Sequence, residues 1–358
     1  MFSIEKITIA IQDALFANLP EFLALLTQFV LVGIFVISLF AVLGLVLVFM
    51  ERKVSAYMQI RVGPNRVGFK GTAQTLADTL KLVLKEGLTP DGADKFLFNL
   101  APFIVMIGAM LLMAPIPFAR NVQIWDMNIG VLYVSAISSI SVIGILMAGW
   151  ASNNKYSLLG AMRSGAQIVS YELSAGLSII SIVILTGSLQ LSEIIASQEN
   201  GWWIFKGHIP ALIAFVIFII AITAETNRAP FDMAEAESEL TAGFHTEYSG
   251  MRFALFFLAE YVNIFIACAI GATLFFGGWM PFHIGGWSGF NHVMDYIPSS
   301  IWFIGKTFFL IFLIMWFRWT FPRLRIDQLL NLEWKYLLPI SLINVLLMTI
   351  IAIMGWHF

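Results

Sequence analysis

The chain has 358 residues, of which 59% are hydrophobic and only 12% charged, and its formal net charge is −2. A water-soluble domain carries roughly 25% charged residues, so this chain has too little polar surface to cover a globule of its size in water. That excludes soluble-enzyme and nucleic-acid-binding readings. The mean hydropathy of +0.86 points instead to a chain dissolved largely in lipid.

In chain order, the first twenty residues carry Glu5, Lys6 and Asp13 and lack a compact apolar core. The first long apolar run then ends in Glu51-Arg52-Lys53 without a small-residue cleavage site, so a cleaved secretory signal is not expected. Eight runs are long enough to cross a hydrocarbon layer about 30 Å thick. They fall at 26–50, 98–118, 129–150, 164–187, 208–224, 252–276, 299–320 and 336–356. The runs are continuous and twice the length of a barrel strand, which predicts helices. Between the first two, residues 66–86 place Phe69, Ala73, Leu76, Leu80, Val83 and Leu84 at helical spacing. Lys70, Gln74, Asp78, Lys81 and Lys85 occupy the rest of that wheel, the pattern of an amphipathic helix lying in the membrane plane. It serves either as a surface anchor or as part of a ligand entrance. The expected fold is therefore all-α: a single polytopic domain over 1–358 with about eight transmembrane helices and one in-plane helix.

Basic residues set the orientation. Sixteen Lys and Arg flank the loops after the first, third, fifth and seventh runs, against four (Lys6, Arg120, Lys206 and Lys306) on the other side. The odd-numbered loops and the in-plane helix are expected in the cytoplasm, with both termini outside. Outer stretch 277–292, rich in Gly and Trp, reads as cover, with Trp279 and Trp287 at headgroup depth. A single cysteine, Cys268, and five histidines in or beside loops cannot by themselves build an iron–sulfur cluster, a structural zinc site or a bis-histidine haem.

An ionised side chain near the bilayer centre costs roughly 2.5–3.5 kcal/mol on insertion scales, which makes acids inside the runs functional suspects. Glu172 and Glu260 lie within runs and Glu225 closes one. The bland alternative for each is a hydrogen bond between helices. Lys306, near the outer end of its run, is expected to snorkel to water. Loop 225–250 carries Glu225, Asp232, Glu235, Glu237, Glu239 and Glu247 with only Arg228 among them. Pro230 disfavours helix at Ala229. Asp232 and Glu235 have capping-box spacing, which predicts a new helix starting there, with Glu235 and Glu239 on one face. Carboxylates crowded between membrane runs and interleaved with Phe231, Leu240 and Phe244 cannot all ionise cheaply, and such acids can pass protons. Arg228, inside the loop, could pair with one of them.

The order Glu225-Thr-Asn-Arg-Ala-Pro-Phe-Asp232, Ala234-Glu-Ala-Glu-Ser-Glu-Leu240, Thr246-Glu-Tyr-Ser-Gly250 and Ala259-Glu-Tyr261 resembles the family of H-type membrane subunits of the proton-translocating NADH:quinone oxidoreductase, respiratory complex I. Further matches are Glu51-Arg-Lys53, Gln59-Ile-Arg-Val-Gly-Pro-Asn65, Leu76-Ala-Asp78 with Lys81, Ser170-Tyr-Glu172 and Pro322-Arg-Leu-Arg-Ile-Asp-Gln328. Met233-Ala234 is a mild departure. The resemblance covers about residues 25–356.

The resemblance implies a subunit that joins the membrane arm to the peripheral arm and forms much of a chamber for ubiquinone or menaquinone. It implies no FMN, iron–sulfur cluster or haem on this chain. The implied partners are peripheral quinone-module subunits on the cytoplasmic side, small and antiporter-like membrane subunits, and lipid. A bacterial plasma membrane is the expected location. Carried over by motif, Glu172, Glu225, Glu235, Glu237, Glu239, Glu247 and Glu260 become proton-path residues. Arg228, Phe231 and Asp232 would line the inner end of the quinone cavity or couple it to the acids, and Arg52, Arg61 and Asp78 would border the entrance. Arg163, Arg323 and Arg325 are weaker carry-overs, as contacts to peripheral subunits. Two rival readings stand beside this one: the homologous subunit of an energy-converting hydrogenase, and a stand-alone secondary transporter. The transporter often shows repeated halves, which this sequence lacks.

Overall fold

The computed structural model describes residues 17, 20–120, 122–199, 201–283 and 287–356, with the side chains of Glu237, Ser238 and Ser288 left out. Lys6 and the two chain ends fall outside these residues. Among the described residues eight helical segments are long and apolar enough to span a membrane, and no β-strand occurs.

The first span, α1, runs Glu21–Met58, a full turn or more beyond the predicted 26–50 at each end. It continues past the apolar run because Glu51 and Ser55 are buried against protein. The in-plane helix α2 is Gln74–Leu84, shorter than the predicted 66–86. Ahead of it Gly68 and Gly71 adopt φ of 73° and 84°, which only glycine takes without strain. A Cβ on Gly71 would also lie 2.0 Å from the Pro64 carbonyl oxygen. That turn breaks the helical wheel where sequence spacing alone continues it. Leu76, Leu80 and Val83 on α2 remain exposed, as a lipid-facing surface requires.

Next come α3 (Lys95–Leu112), α4 (Gly130–Ala151) and α5 (Lys155–Thr186). Asp94 caps α3 by accepting from the Phe96 and Leu97 amides at 3.0 and 3.3 Å. Asn154 starts α5 nine residues before the predicted 164, by accepting from the Tyr156 amide at 2.9 Å. Hydropathy missed that turn because Arg163 lies within it. Helices α6 (His208–Glu225), α7 (Met251–Phe276) and α8 (Ser299–Thr320) match the predicted runs to within a residue. The last span begins at Ile326, ten residues early. It comprises α9 (Ile326–Leu332), a π-helical turn over Glu333–Leu337, and α10 (Leu338–Met354).

Successive spans α3 to α6 pack side by side, α10 lies on α5 and α6, and α7 returns to contact α1, α3, α6 and α8. In α7, 61% of the most apolar window is buried, against 22% in α1 and in the last span, so α7 is the centre of the bundle. Small residues permit close approach: a Cβ on Gly149 would meet the Ala161 Cβ at 2.3 Å. Lys306 departs from expectation. It does not snorkel but is buried, with Nζ donating to the Phe276, Gly278 and Met280 carbonyl oxygens at 2.6, 3.0 and 2.5 Å. The unpaired carbonyls at the C-terminal end of α7 offer a buried cation better solvation than a stretched side chain would find in the headgroups.

Gly243 closes the acidic loop onto α5 with φ of 59°, and a Cβ there would lie 1.6 Å from the Ala234 carbonyl oxygen. Gly243→Ala is expected to cost about 2–4 kcal/mol, read as a fall in the thermal midpoint of the membrane-extracted protein. An unchanged midpoint would contradict this geometry.

Candidate functional site

The acidic loop leaves α6 at Glu225 and folds back against α5. The expected helix from Asp232 does not form; the loop holds a helical turn at Glu237–Leu240, flanked by Ala236 at φ 32° and Thr241 at φ 63°, and a 3-10 turn at Gly243–His245. Asp232 and Glu235 do not cap a helix because both are committed elsewhere. Asp232 is ion-paired with Arg323, and the Leu324 amide donates to the Pro230 carbonyl at 3.1 Å. Glu235 lies 3.3 Å from His245 Nε2. Glu235 and Glu239 consequently do not share a helical face.

Arg228 is the hub. Its side chain is only 6% exposed, and Nη1 donates to Glu51 Oε1 at 3.2 Å. Nη2 sits 3.1 Å from Glu260 Oε1, an ion contact without hydrogen-bond alignment, and the guanidinium stacks 4.4 Å from the Tyr261 ring centre. The same Glu51 oxygen accepts from Arg318 of α8. Two guanidiniums and two carboxylates thus join α1, α7, α8 and the loop. In a buried cluster such balance is required, because an uncompensated charge costs several kcal/mol. Burial opposes the Arg228 charge, but Glu260, Tyr261 and Glu235 outweigh it and raise its pKa.

Asp232 and Glu235, both in the loop outside the spans, differ. Burial, reinforced by Glu235, pushes the Asp232 carboxyl above the usual range despite Arg323. The hydrogen bond from His245 is the main cause that holds Glu235 below the usual range, against burial and with help from Arg228 and Arg323.

Within the bundle, Glu172 of α5 accepts from the Ser139 hydroxyl of α4 at 3.1 and 3.3 Å. A cavity of about 340 Å³ between α4, α5, α6 and α7 is lined by Glu172, Glu225, Ser138, Thr226 and Asn263 among apolar side chains. A smaller one of about 40 Å³ is lined by Glu225, Glu235, Glu260 and Asn263. Ser141, Glu225, Thr226 and Asn263 border both, so four of the seven sequence-selected acids line two adjoining cavities. The Asn263 Oδ1 atom is buried without a protein partner, which marks a place for ordered water.

Glu239 and Glu247 are not brought there. Glu239 is about half exposed and binds Arg163 at 2.6 Å, and Glu247 accepts from the Asn154 amide at 2.6 Å. The Glu237 side chain lies outside the described residues. Phe231 packs on Tyr171 with ring centres 5.3 Å apart. Arg52 is ion-paired with Asp78 across α1 and α2, and Arg52, Arg61 and Arg66 border an open pocket of about 730 Å³. Burial opposes the Asp78 charge, but the Arg52 and Gln74 hydrogen bonds prevail and hold its carboxyl below the usual range. A mostly apolar cavity of about 490 Å³ lies between α1, α2 and α7, with Arg52 and Asp78 at its rim and Phe257 and Leu258 in its wall.

Sequence reasoning missed Glu51, Arg318 and His245 as members of the site. Glu51 read as the charged end of a run and as part of a family motif without a role of its own, and Arg318 as one of the sixteen orientation charges. The usable signal was an acid placed among basic residues at the end of an apolar run. Arg163 and Arg323, expected to reach other subunits, pair within the chain, while Arg325 is exposed.

This fold and site define a class: a polytopic helical membrane protein with a buried acid–arginine network beside acid-lined, largely apolar cavities. A sequence profile of the NADH dehydrogenase family matches residues 29–349, and the chain belongs to that family. The H-type NADH-quinone oxidoreductase chain of Bacteroides fragilis is 58% identical over 358 residues, all of both chains. The chain of the same name from Bacteroides thetaiotaomicron is 57% identical over the same length. That of Bacillus cytotoxicus is 52% identical over 326 residues, 90% of this chain and 94% of its own.

The Glu235 geometry generates a pH test. A depressed carboxyl stabilises the fold above its ordinary value of 4.5 and loses that contribution as pH falls through the folded value. Glu235→Gln should therefore melt earlier than the parent at pH 7, with the gap closing in acid below the ordinary value. A gap that widened in acid would contradict the His245 pairing.

Proposed function

We propose that the chain is the quinone-binding and proton-coupling membrane subunit of an NADH-quinone oxidoreductase. The single observation that carries this reading is the pair of adjoining cavities that joins Glu235 and Glu260, beside the Arg228 hub, to Glu225 and Glu172 within the bundle. Full-length identity of 58% to a chain of that oxidoreductase supports it over a hydrogenase component or a separate transporter.

In this reading a quinone, ubiquinone or menaquinone, approaches through the apolar cavity between α1, α2 and α7, past Arg52, Arg61 and Asp78. The wall there is apolar enough for an isoprenoid tail, and the rim is charged enough to hold the head near the surface. The electron donor sits on a peripheral partner subunit on the cytoplasmic side of a bacterial plasma membrane. Reduction adds negative charge and draws protons. Arg228, Phe231 and Asp232 lie where that change is felt. A proton leaving or joining Glu235 or Glu260 alters the balance around Arg228, and Glu225 and Glu172 carry the change inward through water held by Asn263 and the serine hydroxyls. Antiporter-like and small membrane subunits take it further. Glu239 and Glu247, at the basic surface, supply the loop's outer rim rather than its relay.

Two outcomes follow. Glu225→Gln and Glu172→Gln should lower NADH-driven proton translocation by roughly tenfold or more, whereas Glu239→Gln should stay within about twofold of the parent, since exposed pairs contribute little. Proton uptake by membrane vesicles measures both, and full pumping in the first two variants would remove them from the path. Leu258→Trp should narrow the apolar cavity and raise the KM for a long-tailed quinone by about tenfold, equivalent to 1.4 kcal/mol. A short-tailed analogue should be affected far less. Equal effects on both substrates would argue against this entrance.

A further inference from the structure

A second set of buried polar groups lies on the opposite side of α5 from Glu172. Glu333 opens the π-helical turn of the last span and is fully buried. Its Oε2 accepts from the Ser174 hydroxyl of α5 at 2.9 Å. Its Oε1 is buried without a hydrogen-bond partner, and among the described residues no cation stands within ion-pair distance of it. One turn earlier the Tyr171 hydroxyl donates to the Leu329 carbonyl at 3.1 Å. The neighbouring charged groups on the last span, Arg325, Asp327 and Lys335, are all exposed. From α5 it is the Ser174 hydroxyl and the Tyr171 phenol that face the carboxyl.

The polar groups continue away from Glu333 along the same helix pair. Ser174, Ser178 and Ser181 recur on α5 at spacings that keep them on one face, and all are buried. On α10, Ser341 is buried, and Asn344 is 2% exposed with neither amide atom partnered. Asn344 lies eleven residues beyond Glu333, about 16 Å along a helix rising 1.5 Å per residue. Serines alone would mark only close helix packing. A buried carboxyl with a free oxygen and a buried amide with both atoms free mark something more. Such groups must be satisfied by a proton or by internal water, since leaving each bare costs about 1–3 kcal/mol. A proton on Oε1 removes the charge and leaves a hydroxyl that can donate to a water in the seam. The π turn is the kind of local rewinding that frees backbone groups at working sites.

We propose that Glu333 is a proton-binding site at the head of a second polar seam, between α5 and α10, separate from the Glu172–Glu225 cavity and able to hold water and an exchangeable proton. Neither cavity described above is bordered by Glu333, Ser174 or Asn344, and α5 stands between the two systems, with Glu172 facing α4 and Ser174 facing the last span. The seam is independent of the quinone reading.

The test is infrared difference spectroscopy on the intact complex, exchanged between light and heavy water. Glu333→Gln keeps an oxygen for Ser174 to bond and should delete one carboxylic-acid C=O band. Ser174→Ala should keep that band and move it to higher frequency, because its carbonyl loses a donor. The band should survive in Glu172→Gln and Glu225→Gln. Quinone reduction by assembled Glu333→Gln complex should stay within about twofold of the parent. A Glu333→Gln spectrum identical to the parent's overturns the proposal. So does a band that disappears on adding sodium, which would make the site a cation site. Abolished quinone reduction in fully assembled Glu333→Gln complex overturns the separateness of the seam. If Glu333→Gln fails to assemble, the shift in Ser174→Ala decides the matter alone, and its absence counts against a protonated Glu333.

Discussion

The site depends on one buried guanidinium. Arg228 touches Glu51 on α1, Glu260 on α7 and the face of Tyr261, and the loop that carries it has only two short helical turns of its own, both beyond Arg228. Removing one side of a buried pair typically costs 3–5 kcal/mol, mostly from the charge left behind. This contact therefore fixes the loop alongside its backbone hydrogen bonds, such as Phe244 N–H to the Ala234 carbonyl. It also determines where the loop acids fall. With Arg228 turned inward, Asp232 reaches Arg323 and Glu235 reaches His245, and the stretch between is forced through the tight turns at Ala236, Thr241 and Gly243.

The acids of the chain divide by partner. Glu51, Asp78, Asp232 and Glu239 are each hydrogen-bonded to an arginine, whereas Glu260 touches Arg228 without hydrogen-bond alignment and belongs to neither group. Among the described residues, the partners of Glu172 and Glu333 are serine hydroxyls. A carboxyl paired with arginine sets local geometry and resists a change of charge, because losing it strands the partner. A carboxyl held by a neutral hydroxyl can gain or lose a proton while its neighbour merely rotates. The first group builds the framework, and the second is suited to exchange.

Much of this was legible in the sequence. The spans were readable because lipid demands long apolar runs whatever the tertiary packing, and the acids within them stood out against that background. The ends of α1, α5 and the last span were not, since a helix can extend past its apolar run wherever protein contacts replace lipid; nor was the end of α3, which stops at Leu112 ahead of Pro115 and Pro117 rather than at 118. Asp232 and Glu235 had the spacing of a capping box, but Arg323 and His245, distant in sequence or hidden in the loop, competed for both side chains. Glu51 and Arg318 each satisfied a simpler rule about charges at membrane edges, and only their meeting in space gave them another meaning. Lys306 followed the same pattern: its depth could be read, its solvation by the end of α7 could not.

Lys306 also bears on how the bundle is held together. At one end of the bundle it fastens α8 to the terminus of α7. At the other, Arg318 and Arg228 fasten α8 and α7 to α1 through a shared carboxylate and its neighbour. Three helices stitched top and bottom behave as a raft, unable to slide or tilt independently without tearing a desolvated cation from its ligands. The two sets of contacts thus brace α1, α7 and α8 from both ends of the bundle.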